Sequence, residues 1–110
     1  RPTLIDDYLF TISLKGYLII IDKFSGKIIR ITDLFKNIKP KKKTKIKPTG
    51  FIVGKNKIYL TTSHGRLFII DIVTGATQSI MKIDNNKISR PTVINENLFI
   101  ITDKAIIKLN

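Results

Sequence analysis

The chain has no cysteine, no tryptophan, one histidine and one methionine. Without cysteine there are no disulfides, no thiolate metal sites and no cysteine nucleophile, and the redox compartment stays open. Acidic residues are scarce as well: 8 Asp and Glu stand against 20 Lys and Arg, a net charge of +12. No apolar run approaches the ~18–20 residues that cross a bilayer as a helix, and no charged n-region precedes an apolar h-region. A leader or lipid anchor upstream would leave these residues unchanged, so the pattern does not fix localisation. The chain opens on Arg1 rather than Met and closes inside an apolar run, and the expectation is a segment of a longer parent.

What is present suffices for a core. At 110 residues and 43% hydrophobic the chain has the length of one small domain, and it carries enough apolar side chain to collapse without staples. The positive field would attract polyanions such as nucleic acid, anionic lipid or acidic protein. Its make-up tempers that reading: only Arg1, Arg30, Arg66 and Arg90 are arginine, whereas readers of bases and phosphates favour the guanidinium fork. A chain rich in Lys, Ile and Asn is also what an AT-rich genome tends to encode.

The sequence repeats. Arg1-Pro2-Thr3, Lys47-Pro48-Thr49 and Arg90-Pro91-Thr92 each open a copy, and each is followed by a pair at the heart of a strand: Leu9-Phe10, Ile58-Tyr59 and Leu98-Phe99. In the first two copies Gly16 and Gly65 end a hairpin and Gly26 and Gly75 follow, in register at a spacing of 49 residues. The third copy is shorter at its hairpin, where Asp103-Lys104 replaces Leu14-Lys15-Gly16, and it stops before a second glycine. In "YLFTISL" (8–14) alternate residues share a face, which is strand periodicity. Lys15-Gly16 and His64-Gly65 read as hairpin turns whose glycine takes positive φ. "YLIII" (17–21) and "LFII" (67–70) read as strands buried on both faces. "KIIRIT" (27–32) and "ATQSIMKI" (76–83) supply fourth strands.

Four short strands per repeat, with middle strands covered on both sides, predict an all-β fold: a β-propeller segment of about two and a half four-stranded antiparallel blades. A sandwich or small barrel would not need copies so alike. The organisation expected is repeat 1 over about 1–35, a basic linker over 36–46, repeat 2 over about 47–84 and a partial repeat 3 over about 90–110. A closed propeller has ~4–8 blades, so either further blades lie in the parent chain or exposed strand edges self-associate.

The most recurrent motif is Asp-x-x-(Ser/Thr)-Gly, in "IIDKFSGKIIR" (20–30) and "IIDIVTGATQS" (69–79). With its flanks it resembles the quinoprotein-type, or PQQ-like, propeller repeat, whose motif runs Ala-x-Asp-x-x-Thr-Gly-Lys-x-x-Trp. Asp22, Ser25, Gly26 and Lys27 match, while Ile20 and Arg30 replace the Ala and the Trp. Asp71, Thr74 and Gly75 match, while Ile69, Ala76 and Ser79 depart. The resemblance covers the chain outside 36–46 and makes it a divergent member. It implies either a quinone-dependent alcohol or sugar dehydrogenase or a non-catalytic scaffold, such as the lipoprotein propeller of the bacterial outer-membrane barrel assembly machinery. The scaffold branch implies protein partners and a periplasmic or outer-membrane-associated setting. In that family the tryptophans dock neighbouring blades, so their loss predicts loosened or differently packed contacts around Arg30 and Ser79.

Candidate chemistry is thin. Ser25-Gly26-Lys27 lacks the glycine and the following helix that a P-loop needs, and "GFIVGKN" (50–56) is one residue short. His64 beside Ser63 reads as a turn residue, with the two side chains expected on opposite faces of one strand. The carboxylates Asp6, Asp7, Asp22, Asp33, Asp71, Asp84, Asp103 and Glu96 show no calcium or zinc spacing. A quinone site would need a tryptophan floor, which this chain cannot supply. The reading is therefore no catalytic, metal or cofactor residue. Asp22, Ser25, Gly26, Asp71, Thr74 and Gly75 are structural turn residues in which the carboxylate accepts backbone N–H groups, the hydroxyl closes the turn and glycine goes left-handed. "TDLFKNI" (32–38) predicts a single helical turn capped by Thr32 or Asp33, with Leu34, Phe35 and Ile38 as core. The run 36–48 reads as a solvated connector. Its secondary reading is polyanion contact through Lys39, Lys41, Lys42, Lys43, Lys45 and Lys47. Protein partners are favoured over nucleic acid or anionic lipid.

Overall fold

The computed structural model describes residues 2–36, 38, 46–54, 56–85, 87–95, 97–102 and 104–109. These form eleven strands, β1 (Thr3–Ile5), β2 (Tyr8–Ile12), β3 (Tyr17–Asp22), β4 (Ile28–Asp33), β5 (Pro48–Gly54), β6 (Lys57–Thr62), β7 (Arg66–Asp71), β8 (Thr77–Lys82), β9 (Thr92–Ile94), β10 (Asn97–Ile101) and β11 (Ile106–Lys108). They make three antiparallel meanders, ordered β1-β2-β3-β4, β5-β6-β7-β8 and β9-β10-β11.

Each meander turns where the sequence has a residue that tolerates positive φ. Gly16 (φ 87°) and Gly65 (φ 72°) close the β2–β3 and β6–β7 hairpins, while Asp6, Asn56 and Asn95 take φ between 51° and 67° in the turns after β1, β5 and β9. Asp and Asn are the non-glycine residues best suited to that region. At Gly16 the requirement is also steric, because a Cβ would stand 2.3 Å from the Phe35 ring. Matching bulges interrupt the β3–β4 ladder between Ile20 and Ile21 and the β7–β8 ladder between Ile69 and Ile70. The two corners are therefore built alike down to the irregularity.

The meanders stack face to face with the second in the middle. Phe10, Leu18 and Ile20 of the first pack with Phe51, Ile58, Leu60, Phe68 and Ile70 of the second. Leu67 on the opposite face of the second packs with Ile88 and Ile100, joined by Tyr59 and Ile69. Among the described residues of 32–38, the expected helical turn appears as a hydrogen-bonded turn over 34–36 rather than a helix. β4 runs on to Asp33, whose carboxylate accepts the Phe35 N–H at 3.0 Å, and the Ile38 N–H returns to the Phe35 carbonyl. Asp33 rather than Thr32 is the capping residue. The turn drives Phe35 fully into the core, where its ring lies 5.4 Å from that of Phe68 at 59°.

The expectation of two doubly covered middle strands holds for only one of them. Along β7, Leu67, Phe68 and Ile70 are all buried. Along β3, Leu18 and Ile20 are buried but Ile19 and Ile21 are half-exposed. The reason is stacking: β7 has a meander on either side, and β3 has one neighbour.

Candidate functional site

The two Asp-x-x-(Ser/Thr)-Gly corners are superposable in their hydrogen bonding. Asp22 Oδ1 accepts the N–H groups of Phe24 (2.8 Å) and Ser25 (3.2 Å), and Ser25 Oγ accepts the Lys27 N–H at 3.2 Å. In the second corner Asp71 Oδ1 accepts Val73 N–H (2.7 Å) and Thr74 N–H (3.2 Å), and Thr74 Oγ1 accepts Ala76 N–H at 3.2 Å. Backbone bonds close both loops, Gly26 N–H to the Asp22 carbonyl at 2.9 Å and Gly75 N–H to the Asp71 carbonyl at 2.8 Å, with the glycines at φ 71° and 75°. The side chains a phosphate or metal would need are thus occupied by their own loop. This is Asx-turn chemistry, in which a carboxylate substitutes for a missing strand partner.

The surroundings of the two corners differ. The Arg30 guanidinium reaches from β4 to the second corner, where Nη2 donates to the Ile72 carbonyl at 2.9 Å and Nη1 donates to that of Val73. A Cβ at Gly75 would meet Thr32 Oγ1 at 2.8 Å, whereas nothing lies within 4 Å of the equivalent point at Gly26. Of the two outcomes expected at Arg30, loosened or differently packed contacts, the structure shows the second. An ordered polar dock stands where the resembled family would place an indole, because a fork of N–H donors can satisfy two adjacent corner carbonyls where an indole has a single N–H to give. Arg30 Nε is buried without an acceptor among the described residues, so the arrangement carries a desolvation cost. Ser79, the equivalent position on β8, is exposed.

Of the candidate polyanion residues, Lys39, Lys41, Lys42, Lys43 and Lys45 lie outside the described residues. Lys47 is exposed, and its backbone exchanges bonds with Ser63: its N–H donates to Ser63 Oγ at 2.9 Å and its carbonyl accepts the Ser63 N–H at 2.8 Å. Ser63 and His64 do not sit on opposite faces of a strand. Both belong to the turn after β6, with Oγ and Nδ1 3.4 Å apart and exposed. Strand alternation stops where the strand does, which is why the prediction failed.

The carboxylates stay dispersed. Asp33 caps Phe35, Asp84 Oδ1 accepts the Asn85 N–H at 2.7 Å, and among the described residues no three His, Asp or Glu side chains converge on a point where a metal could sit. A shallow cleft of about 220 Å³ opens between Thr49, Gly50, Phe51 and Arg90, where the second meander meets the third. Its floor is polar but internally bonded: Thr49 Oγ1 donates to Thr61 Oγ1 at 2.8 Å, which donates to the Gly50 carbonyl at 3.2 Å. Sequence reasoning missed Arg30 as a dock and Arg66, whose Nη1 donates to the carbonyls of His64 (2.8 Å) and Asp84 (3.1 Å). The signal for Arg30 was present as a charged residue at an interior-facing strand position.

No protein-family model and no curated protein matches the chain. Solved structures do match its fold. Against the quinohemoprotein alcohol dehydrogenase of Pseudomonas putida the TM-score is 0.68 at 21% identity, over 90% of this chain and 16% of that one. BamB from Moraxella catarrhalis gives 0.69 at 15% identity, over 98% and 30%. The β-propeller domain of Myceliophteria thermophila Cps50 (Swd1) gives 0.70 at 16% identity, over 86% and 31%. The chain thus spans between about a sixth and a third of the length of these structures. Its three meanders are propeller blades, two four-stranded and one three-stranded, and the molecule is a β-propeller segment.

Proposed function

We propose that this segment is a non-catalytic propeller module, a scaffold of the PQQ-like repeat type that presents blade faces and loops to protein partners. The observation that carries the reading is the self-sufficiency of the two corners. The most chemically suggestive motif in the sequence has its carboxylates and hydroxyls engaged by backbone N–H groups within five residues. The open face of the first blade adds a surface of the right kind: Leu4, Ile28 and Ile31 are each more than half exposed beside half-buried Leu9, Ile19 and Ile21. Contiguous apolar area of this sort marks protein contact. The finer form of the reading, a setting in cell-envelope assembly, is motivated by the repeat resemblance in the sequence.

The likeness to a quinohemoprotein alcohol dehydrogenase motivates the second reading, a piece of a quinone-dependent dehydrogenase. Calorimetric titration of the chain with pyrroloquinoline quinone and calcium separates the two. The scaffold reading expects no saturable heat and no gain in thermal stability. Site-specific binding of the quinone would overturn it. A photo-crosslinking residue at Ile31, introduced in cells, is expected to trap a discrete protein adduct, and the same residue at Lys57 is expected not to.

A further inference from the structure

The charge of this molecule is distributed by end rather than by blade. Backbone bonds gather the hairpins and the inter-blade connections at one rim. Leu34 N–H bonds to the Gly16 carbonyl, Lys47 and Ser63 bond reciprocally, Ile83 and Asp84 N–H groups bond to Gly65, and Ser89 bonds to Ile101. A Cβ at Gly50 would touch Arg90, which places the rims of the second and third blades side by side. The remaining turns meet at the opposite rim, where Lys23 N–H bonds to the Asp7 carbonyl and Ile72 N–H to that of Asn56.

The cations follow this division. Among the described residues the hairpin rim carries Lys15, Lys36, Lys47, Arg66, Lys82, Lys87, Arg90 and Lys104 against Asp33 and Asp84, a surplus of six, with all of those cations exposed except the half-buried Arg66. The opposite rim carries Lys23, Lys27, Lys57 and Lys108, with the Arg30 guanidinium docked on the Ile72 and Val73 carbonyls, against Asp6, Asp7, Asp22 and Asp71, a surplus of only one. Arg1, Lys39, Lys41, Lys42, Lys43, Lys45, Lys55, Glu96 and Asp103 lie outside the described residues and are left out of this tally. Among the described residues the positive charge is therefore concentrated on one side. Arg66 and Lys82 are cross-strand partners, and charges within one Debye length of about 8–10 Å act together.

We propose that the hairpin rim is a docking face for an anionic membrane surface. Two features favour lipid headgroups over nucleic acid. The cations are mainly lysines spread over three hairpins and their connections, point charges suited to a planar field of headgroups, and the Arg66 fork is tied to the carbonyls of His64 and Asp84. At the tip of the first hairpin, beside Lys15, Leu14 is 70% exposed and Tyr17 is 38% exposed. An aliphatic tip with a flanking aromatic among lysines suits the boundary between headgroups and acyl chains. A single-strand binding groove would instead line successive stacking aromatics along its cations. This goes beyond the scaffold reading and does not depend on it.

The test is co-sedimentation of the chain with vesicles of phosphatidylcholine alone and of equimolar phosphatidylcholine and phosphatidylglycerol, from low to high salt. The anionic vesicles should bind it and the neutral ones should not, with affinity falling steeply as salt rises. A Lys15→Glu, Arg90→Glu double variant should lose about 25-fold or more, at about fivefold per cation near the surface. Leu14→Ser should lose several-fold, and Lys27→Glu on the opposite rim should lose less than about twofold. Circular dichroism of each variant checks that the sheets persist. Equal binding to neutral vesicles, an equal loss for Lys27→Glu, or no vesicle binding at all would overturn the proposal. So would a single-stranded RNA that displaces the vesicles and binds the Leu14→Ser variant unchanged, since the rim would then be a nucleic-acid face.

Discussion

The corners Asp22–Gly26 and Asp71–Gly75 share sequence, φ values, hydrogen bonds and adjacent bulge, yet one is docked and the other is bare. The Arg30 guanidinium and the Thr32 side chain of the first blade close over the second corner, while nothing stands within 4 Å of the Cβ position at Gly26. Local sequence thus specifies the corner, and stacking order specifies its burial. The sheet faces repeat the lesson. Ile58, Leu60, Phe68 and Ile70 of the second blade are buried, and their equivalents in the first, Leu9, Thr11, Ile19 and Ile21, are half-exposed and on average smaller.

That contrast can be broken in graded ways. The largest effect is expected for Phe68→Ala, which empties the packing between the first two blades and should cost about 3–5 kcal/mol in denaturant unfolding. Ile19→Ala, at the equivalent position on the open face, should cost well under half as much, and equal costs would show that the open face is covered in solution. Next comes Gly75→Ala against Gly26→Ala. Both force an L-residue to positive φ, at roughly 1 kcal/mol, but only the first drives a methyl into Thr32 at 2.8 Å. The docked corner should therefore lose the more stability, by a further ~1–2 kcal/mol of overpacking. Arg30→Ala strips two carbonyls of a charged donor and should cost about 1–3 kcal/mol. Its double-mutant cycle with Gly75→Ala should show coupling of at least ~0.5 kcal/mol, and its cycle with Gly26→Ala none. The smallest difference is expected between Asp22→Ala and Asp71→Ala. Each removes a pair of local backbone bonds, and Asp71 also loses a long 3.4 Å bond from Gln78 Nε2; both should cost about 1 kcal/mol, and a gap of more than ~0.5 kcal/mol between them would mean that a corner draws on its neighbours after all.

Much of the fold was legible because it is written locally and more than once. The glycine pairs 49 residues apart located the hairpins and corners, and period-two alternation located β2. The internal bonding of Asp22 and Asp71 could be inferred because it is closed within a few residues. What could not be read were consequences of stacking. β3 and β7 have near-identical apolar runs, and nothing in "YLIII" says that only one of its faces meets a neighbour. Arg30 looked like a missing indole, since a contact with residues 42 and 43 positions away leaves no local trace. Ser63 and His64 were misplaced by extending strand alternation into a turn. The uneven charge of the two rims was invisible for a related reason: Lys15, Lys47, Lys82 and Arg90 are scattered along the chain and meet only through topology.

The Arg30 dock gives the stack a direction. The first junction is asymmetric: the outer strand of the first blade reaches forward with Arg30, and the corner of the second blade receives it with a pair of carbonyls. The receiving face of the first blade and the reaching face at Ser79 therefore differ chemically, as the two ends of a polar polymer do. A serine cannot reach as an arginine does, so the grip between successive blades weakens along the chain. Unfolding should accordingly start from the third blade and travel back toward the first junction, in the manner of a zipper pulled from its looser end.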